Sequence, residues 1–203
     1  MLTRIHLVRH GETDWNAEER MQGQAESQLT ERGRQQAMDT AKQLEKTKFK
    51  QIFSSDLKRT RETTEHLTKN IDAPIQYVDA LREIHLGPWQ GHLRREMREK
   101  HAEQFHYFTQ EPDKFSLTGA ETFFDLQARG LAILNDFVAE HRGHDLLVVC
   151  HGTLIQTLLA HFAGRAMKDL WNAPSIHNCA HSIVEFDLND NGTITRYANL
   201  NEW

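Results

Sequence analysis

Two apolar runs in the sequence each end in a histidine. Residues 5–8 lead into Arg9 and His10, and residues 146–150 lead into His151. Short apolar runs of this kind are typical of buried strands in a parallel sheet. Because open α/β sheets bind ligands at the carboxyl ends of their strands, the pattern predicts one pocket with a histidine on either side.

Two more charged residues are predicted at the same edge of the sheet. Arg59 follows the predicted strand at residues 51–54, and Glu83 follows the predicted strand at residues 74–78. Arginines offer forked hydrogen-bond donors to an oxyanion, a neutral imidazole is a nucleophile, and a glutamic acid can protonate an alkoxide leaving group. The residues that together indicate phosphoryl transfer through a phosphohistidine are Arg9, His10, Arg59, Glu83 and His151.

Residue types alone leave other interpretations open. A single histidine at a strand end is more often structural than catalytic, and Arg59 lies in a helix that is rich in charge pairs. Cys150 is interpreted as a small buried residue, since a cysteine phosphatase loop would have an arginine where this chain has Gln156. His177 and His181 are spaced to chelate a metal, but no acidic partner lies near them in the sequence.

Strands and helices alternate along the chain. Strands are predicted at about residues 5–8, 51–54, 74–78, 146–150, 182–187 and 193–197, and helices at about 31–46, 56–70, 121–141 and 153–162. Thr30 is the expected N-cap of the first helix, residues 54–56 (SSD) are expected to cap the second, and residues 189–192 (NDNG) predict a hairpin turn. Residues 92–118 break the alternation and are expected to form a small helical cap beside the pocket. The pattern predicts a three-layer α/β/α fold around a mostly parallel sheet of about six strands.

The composition is that of a globular protein. Of 203 residues, 38% are hydrophobic and 26% are charged, and residues 1–203 are expected to form a single domain. The formal net charge of −5 argues against nucleic acid as a partner, and no apolar run is long enough to predict a membrane span. Two cysteines and no signal-peptide pattern favour a cytoplasmic location. We expect a monomer or a homodimer.

At these residues the sequence resembles the histidine phosphatase superfamily, the phosphoglycerate mutase-like proteins. The matching blocks, in chain order, are 7–13 (LVRHGET), 15–16 (WN), 20–23 (RMQG), 29–30 (LT) with Gly33, 54–60 (SSDLKRT), 81–83 (LRE) with Gly87 and Gly91, and 151–152 (HG). The resemblance covers nearly the whole chain and implies a phosphoglycerate mutase-like α/β fold.

The resemblance also implies a role for each polar residue of the pocket. His10 is the expected nucleophile, and Glu83 is the acid that protonates the leaving oxygen and then activates water. The phosphoryl oxygens are expected to be held by Arg9, Arg59 and His151, and the rest of the phosphate pocket to be lined by Asn16, Gln22, Gly23 and Gly152. No metal or cofactor is expected, because the arginines and His151 supply the positive charge that magnesium provides in other phosphoryl-transfer enzymes.

Within the family, residues 81–87 (LREIHLG), the aromatic-rich cap and residues 170–171 (LW) look most like the broad-specificity phosphatase branch. The substrate is then a small phosphomonoester. A phosphoglycerate mutase is the main alternative, because Gln90 replaces the glutamate usual in phosphatases and is shared with mutases. A fructose-2,6-bisphosphatase-like enzyme, an α-ribazole phosphatase-like enzyme and a catalytically idle binding module are further alternatives.

The cap is unusually rich in phenylalanine. Five of the ten phenylalanines lie between Phe105 and Phe124. They form either an apolar wall for the alcohol portion of the substrate or the core of the cap helices, and the sequence leaves both interpretations open.

Overall fold

The computed structural model describes residues 2–200 and contains a six-stranded sheet. The strands are β1 (Thr3–Arg9), β2 (Phe49–Ser55), β3 (Ile75–Val78), β4 (Asp145–Cys150), β5 (His181–Phe186) and β6 (Gly192–Arg196), in the spatial order β3-β2-β4-β1-β5-β6. The first four strands pair in parallel, whereas β5 is antiparallel to both of its neighbours. The predicted mostly parallel sheet of about six strands is confirmed.

Helices cover both faces of this sheet. They are α1 (Asp14–Ala17), α2 (Glu31–Leu44), α3 (Lys58–Leu67), α4 (Arg94–Lys100), α5 (Ala102–Gln110), α6 (Phe123–Glu140) and α7 (Gly152–Phe162). Within residues 2–200, no helix has the length and apolarity needed to cross a membrane.

Side-chain alternation along the two central strands explains the three layers. Leu7 of β1 and Val148 of β4 belong to a hydrophobic cluster that includes residues of α6 and α7. Val8 and Val149, one position further along each strand, belong to a second cluster with residues of α2 and α3. Both faces of these strands are therefore buried, which explains why residues 146–150 of β4 form an unbroken apolar run.

Two local sequence signals are confirmed. The hydroxyl of Thr30 accepts a hydrogen bond from the main-chain N–H of Gly33 at 3.0 Å and so caps α2. The predicted hairpin turn joins β5 to β6, and the carboxylate of Asp187 accepts from the N–H groups of Asn189 and Asn191. Both signals act over a few residues, which is why the sequence alone reveals them.

The predicted cap of α3 is wrong. Leu57 is its N-cap, with no side-chain capping bond, and the helix ends about three residues earlier than expected. The polar residues expected to cap it have tertiary partners instead. Ser55 is hydrogen bonded to His151, and Asp56 forms an ion pair with Arg82. A local pattern does not reveal such long-range partners.

The region predicted as a helical cap contains α4 and α5. Trp89 lies within an aromatic cluster, with ring-centroid distances of 6.1, 5.9 and 5.5 Å to Phe105, Phe108 and Phe115. All four rings are buried and form the core of the cap, whereas Phe124 is exposed. Phe108 in addition borders the cleft described below.

A buried histidine pair connects β1 to β5. His6 Nδ1 lies 3.0 Å from His181 Nε2, and His6 Nε2 lies 3.6 Å from the carboxylate of Asp145. Burial lowers the pKa of His6 to about 4, although Asp145 opposes the shift, and burial together with His6 lowers the pKa of His181 to about 3. Both imidazoles are therefore neutral in the folded protein near neutral pH.

We expect the folded protein to lose stability as the pH falls from about 6.5 towards 4. The unfolded chain protonates these histidines near pH 6.5 whereas the folded chain does not, so unfolding takes up protons in this window. His181→Gln should therefore reduce the slope of unfolding free energy against pH by roughly 1.4 kcal/mol per pH unit. Urea denaturation at a series of pH values measures this slope. The exposed His144→Gln is the control, and equal slopes in the two variants would contradict the expectation.

Candidate active site

A cleft of about 130 Å³ lies next to the carboxyl ends of β1 and β2. The sequence predicts nine residues for the pocket. Seven of them line this cleft: Arg9, His10, Asn16, Gln22, Gly23, Arg59 and Glu83. Most of the residues that the sequence predicts for the pocket therefore lie together at the predicted edge of the sheet.

The remaining two predicted residues, His151 and Gly152, adjoin the cleft. His151 is fully buried, and the centre of its ring lies 5.3 Å from that of His10. A side-chain carbon at Gly152 would lie 3.1 Å from Nε of Arg9, so the glycine leaves room for this arginine. The two strand ends meet because Arg9 of β1 is paired in register with Cys150 of β4.

The His10 imidazole is held in one tautomer. Its Nδ1 lies 2.8 Å from the main-chain oxygen of Gly11. Because a carbonyl oxygen only accepts hydrogen bonds, Nδ1 carries the proton and Nε2 keeps its lone pair. The main-chain oxygen of His10 accepts hydrogen bonds from Asn178 Nδ2 and from the N–H of Cys179. The backbone and the ring are thus both fixed, and Nε2 is the nitrogen that can act as a nucleophile.

Both histidines of the cleft are uncharged. Burial lowers the pKa of His10 well below its usual value, and Arg59 and Arg9 lower it further. Burial is also the main cause of the lowered pKa of His151, with Arg59, His10 and Arg9 adding to it. A neutral imidazole keeps the lone pair that a nucleophile needs at physiological pH.

His151 is the N-cap residue of α7 and contacts the end of β2. Its Nε2 lies 2.9 Å from the hydroxyl of Ser55, and its Nδ1 is buried with no hydrogen-bond partner in the described part of the chain. If Ser55 donates to Nε2, Nδ1 is left as an N–H donor for an anion. Sequence reasoning missed this role of Ser55, although its position at the end of an apolar strand was the signal.

Arg9 and Arg59 are anchored by main-chain carbonyl groups. Arg9 Nη1 donates to Ile176 O at 2.7 Å, and the two Nη atoms of Arg59 donate to Ala25 O and Gly23 O at 2.9 and 2.6 Å. Among residues 2–200, neither Nε has a hydrogen-bond partner, and both are buried. Burial lowers both pKa values, that of Arg59 to about 10, so both groups stay charged at neutral pH. Two fixed cations with unused donors form an anion site.

Two amide side chains are oriented by their neighbours. Asn16 Oδ1 accepts from the N–H of Thr13 and from Asn178 Nδ2, each at 3.1 Å, and Gln22 Oε1 accepts from the hydroxyl of Ser27 at 2.9 Å. The oxygen of each amide is therefore engaged inside the protein, so its NH₂ group remains as a donor to the cleft. Sequence reasoning missed Asn178 and Ser27, which act through other residues and have no motif of their own.

The carboxylate of Glu83 is held by three main-chain N–H groups. Those of Thr153 and Leu154 donate at 3.0 and 3.1 Å, and that of Ile84 donates at 3.0 Å. Thr153 and Leu154 lie in the first turn of α7, where N–H groups lack partners within the helix. The helix that follows the second histidine thus also fixes the position of the acid.

Arg129 of α6 supports the segment that carries Glu83. Its Nη1 donates to the main-chain oxygens of Ala80 and Arg82 at 2.8 and 2.9 Å, and its guanidinium group also pairs with Glu121. Sequence reasoning missed Arg129, because a charged residue on a long helix has no distinguishing local pattern.

The two cysteines are buried free thiols. Burial raises the pKa of Cys150 far above its usual value and that of Cys179 to about 12, so neither is a thiolate at neutral pH. The interpretation of Cys150 as a small buried residue therefore agrees with its surroundings. His177 and His181 do not pair with each other, since they contact Asn199 and His6 respectively. In the described range, no three His, Cys, Asp or Glu side chains are grouped as a metal site would require.

Comparison with known proteins identifies the family. Residues 5–199 match the model of the histidine phosphatase superfamily (branch 1). The chain is 38% identical over 160 residues to the metal-independent phosphoserine phosphatase of Arabidopsis thaliana, an alignment that covers 77% of this chain and 67% of the relative. It is 31% identical over 187 residues to the probable phosphoglycerate mutase GpmB of Salmonella choleraesuis, with 91% and 86% covered.

A solved structure leads to the same family. The structure of YhfR from Bacillus stearothermophilus matches with a TM-score of 0.95 at 36% sequence identity, and the match covers 98% of each chain. The family model spans nearly the whole sequence, as the resemblance at the sequence level implies. The chain belongs to the histidine phosphatase superfamily, branch 1, and is a phosphoric monoester hydrolase.

Proposed function

We propose that this protein is a metal-independent phosphatase that hydrolyses small phosphomonoesters through a phosphohistidine on His10. The observation that carries the proposal is the neutral His10 imidazole beside Arg9 and Arg59. Its Nδ1 is hydrogen bonded to the main-chain oxygen of Gly11, and its Nε2 has no hydrogen-bond partner among residues 2–200. A nucleophile next to two fixed cations suits attack on a phosphate dianion. The name of the Arabidopsis relative, metal-independent phosphoserine phosphatase, supports the same reaction class.

In the first half of the proposed reaction, Nε2 of His10 attacks phosphorus and the bond from phosphorus to the ester oxygen breaks. Glu83 donates a proton to that oxygen, so the first product leaves as an alcohol. The groups proposed to hold the phosphoryl oxygens are Arg9, Arg59 and His151, with the amides of Asn16 and Gln22 and the backbone at Gly23 and Gly152.

In the second half, the Glu83 carboxylate takes a proton from water, and the water oxygen attacks phosphorus. The bond from phosphorus to Nε2 breaks, inorganic phosphate forms, and the imidazole of His10 is again free. The three main-chain N–H groups that hold Glu83 keep it in place for both proton transfers.

A phosphoglycerate mutase is the second candidate, and the Salmonella relative named as a probable mutase favours it. Gln90 Oε1 accepts hydrogen bonds from the main-chain N–H groups of Gln24 and Leu86. A glutamate carboxylate can accept the same two bonds, so this position does not distinguish a phosphatase from a mutase. Incubation with 3-phosphoglycerate, with and without a bisphosphoglycerate, separates them. Phosphate release faster than isomerisation supports the phosphatase, and the reverse supports the mutase.

His10→Ala should lower phosphatase activity by at least about 10³-fold, since the variant has no atom to accept the phosphoryl group. Labelling with ³²P-substrate and quenching in alkaline detergent should reveal a phosphoprotein in the wild type, stable in base and lost in acid, and none in the variant. The exposed His106→Ala serves as the matched control and should retain labelling. Undiminished labelling of His10→Ala would place the covalent step on another residue.

Glu83→Gln should slow alkyl phosphates by roughly 10²–10⁴-fold in kcat/KM but nitrophenyl phosphate by less than about 10-fold. An alkoxide needs a proton in order to leave, whereas nitrophenolate does not, and kcat/KM reports the steps up to formation of the phosphoenzyme. Equal losses on the two substrates would remove Glu83 from the acid role.

Activity should be unchanged after dialysis against a strong chelator. The reason is that Arg9, Arg59 and the donors beside them provide the charge that stabilises the transferring phosphoryl group. Phosphate release from nitrophenyl phosphate, measured before and after treatment, checks this. Loss of activity that a divalent metal restores would overturn the metal-independent proposal.

A further inference from the structure

A second cavity, of about 250 Å³, adjoins the cleft. It shares three lining residues with the cleft, which are Arg9, Glu83 and Thr153. Residues of α7 and of the chain at 171–176 form the rest of its wall. Its volume is several times what a single water molecule needs. Water can therefore reach Glu83, the acid of the proposed mechanism, from the second cavity as well as from the cleft.

The two carboxylate oxygens of Glu83 have different surroundings. Oε1 accepts from the main-chain N–H groups of Ile84 and Leu154 at 3.0 and 3.1 Å. Oε2 accepts from the main-chain N–H of Thr153 at 3.0 Å and from no other donor among residues 2–200. A carboxylate oxygen has about two lone-pair sites for hydrogen bonds. Both sites of Oε1 are in use, so Oε2 is the oxygen that can take up a proton.

The hydroxyl group of Thr153 lies close to Oε2 and is unused. It is three bonds from the nitrogen that donates to Oε2, and it makes no hydrogen bond to residues 2–200. Thr157, one turn later in α7, donates its hydroxyl to Leu154 O at 2.9 Å, as helix threonines often do. Thr153 is the second residue of α7, so no earlier turn of the helix offers it a carbonyl group.

The attacking water needs to be oriented, whereas the leaving oxygen does not. In the first half of the proposed reaction, the ester oxygen is fixed by its bond to phosphorus. In the second half, a free water molecule has to direct a lone pair at phosphorus. One of its hydrogens goes to the carboxylate, and the other needs an acceptor. A threonine hydroxyl has two acceptor sites and can provide one.

We propose that the Thr153 hydroxyl accepts one hydrogen of the water that attacks the phosphohistidine, while Oε2 of Glu83 takes the other as a proton. The water oxygen forms its bond to phosphorus, the bond from phosphorus to His10 Nε2 breaks, and its electron pair returns to Nε2. Thr153 thus promotes hydrolysis of the phosphoenzyme rather than its formation. The inference rests on the proposed phosphatase function and deepens it.

Partition of the phosphoenzyme between water and an alcohol tests the inference. With nitrophenyl phosphate in glycerol solution, nitrophenol counts each phosphoenzyme formed and inorganic phosphate counts each one hydrolysed. The difference is the phosphate transferred to glycerol. A glycerol hydroxyl has a single hydrogen, which goes to Oε2, so transfer to glycerol does not need the Thr153 hydroxyl as an acceptor.

Thr153→Val keeps the main-chain N–H and the side-chain shape but removes the hydroxyl. The ratio of transfer to hydrolysis should rise by about 5–20-fold, and decay of the ³²P-labelled phosphoenzyme in the absence of glycerol should slow by a similar factor. The kcat/KM for nitrophenol release should change by less than about 3-fold, because it reports formation of the phosphoenzyme.

Two further variants separate this role from a structural one. Thr153→Ser retains the hydroxyl and should keep the ratio and the decay rate within about 2-fold of the wild type. Ser175→Ala removes an exposed hydroxyl that borders the second cavity but not the cleft, and it should have as little effect. Equal losses in formation and decay of the phosphoenzyme in Thr153→Val, at an unchanged ratio, would show a merely structural role and overturn the proposal.

The same assay distinguishes this inference from the function beneath it. If the wild type releases nitrophenol and phosphate but Thr153→Val alters neither the ratio nor the decay rate, the role of Thr153 is wrong and the phosphatase stands. If the wild type forms no phosphoenzyme on His10, the proposed function is wrong, and the role of Thr153 is wrong with it.

Discussion

Two guanidinium groups and two imidazoles are buried around one cleft, and the rest of the site follows from the electrostatic cost of that arrangement. Cations in a poorly solvated wall repel one another and need substitutes for water. Main-chain oxygens of Gly23, Ala25 and Ile176 provide them for the arginines. The imidazoles stay neutral because they are buried and because protonation would add charge beside the arginines. Burial and repulsion together therefore leave His10 Nε2 with its lone pair, and the arginines keep donors for an anion.

Helix α7 fixes the positions of His151 and Glu83 relative to His10, the proposed nucleophile. It begins directly after His151, and N–H groups of its first turn hold the Glu83 carboxylate. The strand before it, β4, is in parallel register with β1, which ends at Arg9. One strand pair and one helix start therefore position His10, His151 and Glu83 relative to one another. Arg129 then fixes the segment that carries Glu83, because its guanidinium group donates to the main-chain oxygens of Ala80 and Arg82.

The cap has a different physical basis from the phosphate side of the cleft. Its helices are held by packing of Trp89 with phenylalanine rings rather than by a polar network. On the phosphate side, Gly23 has a φ of +52°, and a side-chain carbon there would lie 2.4 Å from Gln90 Oε1. A backbone packed so closely tolerates little change, whereas residues on the surface of the cap can vary without disturbing the rings beneath. A closely packed backbone at the proposed phosphate site and a more tolerant cap surface suit one reaction that can act on different substrates.

The sequence by itself determined the α/β alternation, the cap of α2, the hairpin turn and the family, because each depends on local spacing or on motifs in order. It also indicated which residues lie together at one edge of the sheet, since the carboxyl ends of parallel strands meet at the same edge. Only the tertiary structure decided that Ser55 contacts His151, that Asp56 pairs with Arg82, and that α7 holds Glu83. These contacts join residues 26 or more positions apart, and a short polar pattern carries no information about a partner at that distance. The tautomer of His10 belongs to the same class, because it depends on the main-chain oxygen that the folded chain places beside the ring.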